Sequence, residues 1–257
     1  MKNKSLCYTI LLFAMLCMVC LSGCATSARD RERAATHVNM GTAYLKSGQF
    51  SPALREFITA QRLSPDDPEI HYFAGLSYYG SGMKEEAKRE FQRALSIKPD
   101  YSEARNYMGT IYLEEGLYDK AIEQFDLSLS NVFYKTPAIA LNNIGWAYYK
   151  KKDYKAALIQ YEAAIKREPN TIILPLIQKN MGIACLAEHN INKAIYHLKK
   201  AIDMAPGMIE SRYWLGISYL EEGNREKATA ELRAVAESDP ESVFGLQARE
   251  KLDSVSQ

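Results

Sequence analysis

Apolar residues recur at helical spacing from residue 34 to residue 242, in blocks of about a dozen. Gly, Pro and polar turns separate the blocks, and the blocks come in pairs. A glycine marks the first block of each pair, at Gly41, Gly75, Gly109, Gly145, Gly182 and Gly216, with spacings of 34, 34, 36, 37 and 34 residues. Three residues on stands Tyr44, Tyr78, Tyr112, Tyr148, Cys185 or Tyr219. Twelve residues on stands Ala53, Ala87, Ala121, Ala157, Ala194 or Ala228. Sixteen on stands Phe57, Phe91, Phe125, Tyr161, Leu198 or Leu232, followed three later by Ala, Ser or Val. Pro65, Pro99, Pro169, Pro206 and Pro240 close five of the six units, because Pro cannot continue a helical hydrogen-bond ladder.

Each unit therefore predicts two helices, with Gly and Ala where backbones approach and the large residue filling the space between units. Ser51-Pro52 predicts an N-cap and first-turn Pro for the second helix of the first unit. The pattern resembles the tetratricopeptide repeat (TPR), a 34-residue helix–turn–helix. The resemblance implies an all-α, right-handed solenoid with units at 34–67, 68–101, 102–135, 138–171, 175–208 and 209–242. No single pair buries its own apolar face, so the stack reads as one solenoid domain. Phe244, Ala248 and Leu252 form one apolar stripe at i, i+4 and i+8, predicting a capping helix and tail within 243–257. The junctions at 131–137 and 171–175 are longer than the repeat requires. Phe133, Tyr134 and Ile172 to Leu174 are expected to pack into the widened gaps.

The N-terminus has another character. Met1-Lys2-Asn3-Lys4 precedes an uncharged run from Leu6 to Leu21, and small residues end it, as in a secretory signal over 1–23. Leu21-Ser22-Gly23-Cys24 resembles the lipobox of bacterial lipoproteins. That resemblance implies acylation of Cys24 and, with Ala25 and Thr26 following, export to the outer membrane. Residues 24–33 then form the lipidated cysteine and a polar tether. Cys7, Cys17 and Cys20 leave with the signal, so Cys185 is the remaining thiol and no intramolecular disulfide is expected. Its place in the repeat pattern makes it a core residue.

Composition narrows the chemistry. Lys and Arg total 32 against 31 Asp and Glu, so nucleic acid is not an expected partner. No phosphate loop, nucleophile elbow or zinc spacing occurs. No catalytic residue, metal site, small-molecule substrate or cofactor is expected, apart from the covalent lipid on Cys24. His37 and His71 hold equivalent repeat positions and read as packing residues. Glu85-Glu86, Glu114-Glu115 and Glu221-Glu222 read as solvated turn charges.

Binding is the expected activity. By analogy with TPR proteins, first helices line a groove through Val38, Thr42 and Leu45; Tyr72, Leu76 and Tyr79; Asn106, Thr110 and Leu113; Asn142, Trp146 and Tyr149; Lys179, Ile183 and Leu186; and Tyr213, Ile217 and Leu220. Such an apolar and aromatic wall suits an apolar peptide or amphipathic segment of a protein client. The whole layout resembles the PilF/PilW-type pilotins, outer-membrane lipoproteins of type IV pilus biogenesis. That family implies a membrane-anchored adaptor, facing the periplasm, that escorts and helps multimerise a secretin. A general envelope scaffold for peptidoglycan enzymes or outer-membrane assembly factors is the alternative reading.

Overall fold

The computed structural model describes residues 27–255, which form thirteen α-helices and no strand. The signal sequence, Cys24 and the first part of the tether lie outside the described residues. No helix among those described is long and apolar enough to cross a membrane. The sequence reads as one solenoid domain; the contacts divide the chain into two compact units, with the boundary between Pro99 and Asp100.

The first unit holds α1 (Ala28–Lys46), α2 (Phe50–Leu63), α3 (Pro68–Gly80) and α4 (Lys84–Ile97). The second holds α5 (Ser102–Glu114), α6 (Tyr118–Leu129), α7 (Pro137–Lys150), α8 (Tyr154–Arg167), α9 (Leu174–Ala187), α10 (Ile191–Met204), α11 (Ile209–Glu222), α12 (Arg225–Ser238) and α13 (Val243–Val255). Within each unit, odd- and even-numbered helices pack as antiparallel pairs, and each second helix packs on the next first helix. Successive first helices also touch, as α1 with α3, α5 with α7, α7 with α9 and α9 with α11.

The recurring glycines explain the pairing. A Cβ on any of the six would sit 2.5–2.8 Å from the side chain sixteen residues on, the ring of Phe57, Phe91, Phe125 or Tyr161 or the branch of Leu198 or Leu232. The six partners are fully buried, as are the alanines at the twelfth step. This corrects one expectation, since the large residue fills a recess on its own repeat's glycine rather than a gap between repeats. It reaches the neighbour secondarily: Phe57 stacks on Phe73 of the next repeat at 5.5 Å.

The turn inside each repeat needs a left-handed residue seven positions after the recess glycine. Gly48, Gly82, Gly116 and Gly223 supply it with φ of 71°, 78°, 76° and 84°. Lys152 and His189 hold the same place with φ of 65° and 58°, a conformation that costs a residue with a Cβ.

Two helix starts differ from the sequence reading. Residues 28–33 are helical rather than tether, because Ser27 accepts a hydrogen bond from the Asp30 amide at 3.0 Å and the helix runs on to bury Ala34. Helix α2 begins at Phe50, with Gln49 before it, so Ser51 is not the cap. Pro52 is tolerated there because first-turn amides lack helical acceptors. The expected capping helix is present as α13, with Phe244, Ala248 and Leu252 packed against Tyr213, Leu232 and Val235.

Gly75→Ala should lower stability by about 1–3 kcal/mol, because its methyl enters the Phe91 ring. Gly207→Ala should be neutral or slightly stabilising, since a Cβ there meets nothing within 4 Å. Urea unfolding of the two variants checks this, and equal destabilisation would reject the recess account.

Candidate protein-binding face

The predicted groove residues divide by position in the repeat. Those three residues before the recess glycine go largely to helix–helix contacts. Asn142 is buried and its Oδ1 accepts from Asn180 Nδ2 at 2.9 Å, joining α7 to α9. Lys179 is buried and donates to Glu210 Oε2 at 2.5 Å, joining α9 to α11. Asn106 is buried as well, with its Oδ1 unpaired. Tyr213 is buried under the capping helix, its ring 5.3 Å from that of Phe244, and Ile217 and Leu220 pack into the same cluster. Ile183 is also buried. These are not open lining, because adjacent first helices, or the cap, cover them.

The others are half-buried. In the first unit Val38, Thr42, Leu45, Tyr72, Leu76 and Tyr79 lie along α1 and α3. Val38 bridges two apolar clusters, and a hollow of about 300 Å³ opens beside it, walled by Ala35, Arg31, Asp67 and Glu69. In the second unit Thr110 donates to the Asn106 carbonyl at 3.0 Å, and Leu113 packs beside Phe125 and Tyr134. Trp146 and Tyr149 form the strongest feature. Their rings stack at 4.8 Å with 13° between planes, and Tyr149 meets Tyr154 at 5.5 Å. Lys150 Nζ lies 5.6 Å from the Trp146 ring, close enough for a cation–π contact. Burial pushes the Tyr149 hydroxyl pKa up, so the shelf stays neutral.

Residues 41–82, 68–101, 100–170 and 186–250 match four models of the tetratricopeptide repeat. The chain is a tetratricopeptide-repeat protein. Its fold is similar to that of PilW, a widely conserved type IV pilus biogenesis factor, at 19% identity and TM-score 0.77, over 83% of this chain and 97% of PilW. Pseudomonas aeruginosa PilF is similar at 15% identity and TM-score 0.75, over 86% of this chain and 99% of PilF. YrrB, a TPR protein with an unusual peptide-binding site, is similar at 20% identity and TM-score 0.56, over 76% of this chain and 97% of YrrB. No curated protein matches by sequence.

The TPR frame accounts for the histidines. Side chains four before and fifteen after the recess glycine pair across the two helices of five repeats: His37–Glu56 at 2.7 Å, His71–Glu90 at 2.7 Å, Arg105–Gln124 at 3.3 Å, Gln178–His197 at 2.8 Å and Arg212–Glu231 at 3.0 Å. Nineteen-residue spacing of a basic or amide group with an acidic or amide one was a signal available in the sequence and missed. Cys185 is core, as its repeat position predicts, and burial pushes its thiol pKa up to about 11.

The lengthened junctions turn only some of their apolar residues inward. Tyr134 is buried and Ile173 packs against the core. Phe133 and Ile172 instead stand 86% and 93% exposed. Adjacent residues of a short loop cannot all turn inward, and Asn131 Oδ1 accepting the Phe133 amide at 2.9 Å fixes a tight turn there.

His71 sits between two acceptors, Glu90 Oε2 at 2.7 Å and the Pro65 carbonyl at 2.9 Å, so both ring nitrogens donate when it is protonated. Burial works to lower its pKa, but the bonds to Glu90 and Pro65 outweigh that and raise it. A raised folded pKa contributes stability that is full below the unfolded value and lost as pH rises through the folded one. The gap in stability between the native chain and Glu90→Gln should therefore shrink as pH rises from below the ordinary histidine value through the raised one of His71. Urea unfolding across that range tests it. A gap that widens would refute the pairing, and the subtraction removes His197, whose pKa burial and Lys200 push the other way.

Proposed function

We propose that the protein is a membrane-anchored TPR adaptor of the cell envelope that supports type IV pilus biogenesis by binding a secretin subunit and helping it assemble in, or reach, the outer membrane. The Trp146–Tyr149 shelf carries the client-binding part of this reading. It is a partly solvated aromatic pair on a rigid first helix, flanked by a cation, and Trp and Tyr dominate binding energy where a partner excludes water. The likeness in fold to PilW and PilF, which extends over nearly all of each, supports the pilus part.

The proposed mechanism is local concentration. A lipid on Cys24 would confine the adaptor at the membrane, and a client segment would bind by burying apolar area at about 25 cal/mol per Å², less the cost of ordering it. The half-buried Tyr72 and Tyr79 of the first unit are secondary anchors in this reading.

Replacing both Trp146 and Tyr149 by Ala should weaken client capture about 30-fold or more, with helix content retained. Co-purification from detergent-solubilised envelopes, read by mass spectrometry, measures this. Loss of a pilus secretin in the double variant supports the proposal. Recovery of cell-wall enzymes without secretin favours the general envelope scaffold, and a folded variant with undiminished capture removes the shelf from the site.

Cys24→Ser should release the protein from the membrane fraction. Unchanged outer-membrane fractionation would reject the lipid anchor.

A further inference from the structure

The fourth and fifth repeats carry an exposed surface that lies outside the proposed client shelf. Two residues before Tyr161 and Leu198, the outward position of the second helix holds Ile159 on α8 and Tyr196 on α10, 61% and 59% exposed. The same position is Arg55, Arg89, Glu123 or Ala230 in the other repeats. Lys155 and Lys166 flank Ile159 on the exposed stripe of α8, as Lys193 and Lys199 flank Tyr196 on α10. Ile172 stands at the end where α8 gives way to α9, and the half-exposed Met204 ends α10.

Charge is segregated in the same way. Residues 137–208 hold ten basic and five acidic side chains, a net +5. Residues 102–136 hold three basic and six acidic, a net −3, and residues 209–255 six and ten, a net −4. On the two exposed stripes the acidic residues are Glu162 and Asp203. Lys200 and Lys193 help to push the pKa of the neighbouring His197 down, after burial, as a locally positive field requires.

We propose that the outward face of α8 and α10 docks on an anionic phospholipid surface. Isolated apolar side chains standing out from helix ridges need no matching sockets in a bilayer interface, where a protein partner would have to supply one for each. A tyrosine suits the headgroup level, and lysine stems lie along apolar depth while their ammonium groups reach phosphate. The face shares no residue with the Trp146–Tyr149 shelf, so it stands or falls apart from the client reading.

The test is lysine acetylation of the full chain on vesicles, read by mass spectrometry. Phosphatidylcholine vesicles are compared with vesicles that also contain phosphatidylglycerol. Attachment through residues 1–26 occurs on both, so the neutral vesicles supply the baseline. Labelling of Lys155, Lys193 and Lys199 should fall about fivefold or more on the anionic vesicles, while Lys120 and Lys251 stay unchanged. Higher salt should restore the labelling. Ile159→Asp with Tyr196→Asp, both at exposed positions, should abolish the protection without unfolding the chain. Equal labelling on the two vesicle types, or protection undiminished in the folded double variant, would overturn the proposal.

Discussion

The fold depends on one close approach, repeated six times. A first helix can lie on its second helix only where the first presents no side chain, and the recess so made is filled by the large residue sixteen positions on. Everything else in the repeat follows from that contact. The alanine at the twelfth step and the small residue at the nineteenth are buried beside it because the helices are already too close for more. The left-handed residue at the seventh step is needed because the chain must reverse within a few residues to bring the sixteenth back onto the glycine. A constraint this local can be written into each repeat independently, so the architecture survives low overall sequence identity to its structural neighbours.

That locality also sets what the sequence could tell. Positions governed by the recess were legible, Cys185 among them, because steric demand there admits few residue types. So was the α13 stripe, since a terminal helix has one face to bury. Positions governed by neighbouring repeats were less so. Asn142 and Lys179 look like groove residues from their spacing, yet they bind Asn180 and Glu210 across successive first helices, contacts between residues 38 and 31 positions apart with no fixed repeat signature. Tyr213 reads from its spacing as groove lining, but the cap takes it because an uncovered tyrosine beside Leu232 and Val235 would leave apolar surface wet. Lys152 and His189 hold, without glycine, the left-handed turn position that glycine fills in the other four repeats.

The half-buried side chains left on the first helices are taken up only in part by the core: Tyr149 packs against the cluster around Tyr161, and Leu113 against that around Phe125. In the fourth repeat the exposed parts of Trp146 and Tyr149 lie side by side, their rings stacked on each other. Mutual stacking holds a flat aromatic surface in place, so less side-chain freedom would be lost on binding of the proposed client. Lys150 beside the Trp146 ring adds to the same preorganisation.

Buried polar links between first helices bear on rigidity as well as specificity. Lys179–Glu210 and Asn142–Asn180 would each leave an unpaired buried group if the spacing of α7, α9 and α11 changed. The cost of such a loss is about 1–3 kcal/mol for a neutral group and more for a charge. A purely apolar seam could slide by small steps, whereas these links favour one spacing. They therefore hold the shelf on α7 in a fixed relation to α9 and α11. The polar residues that spacing arguments assign to a groove thus act instead between first helices, by fixing the distance from one to the next.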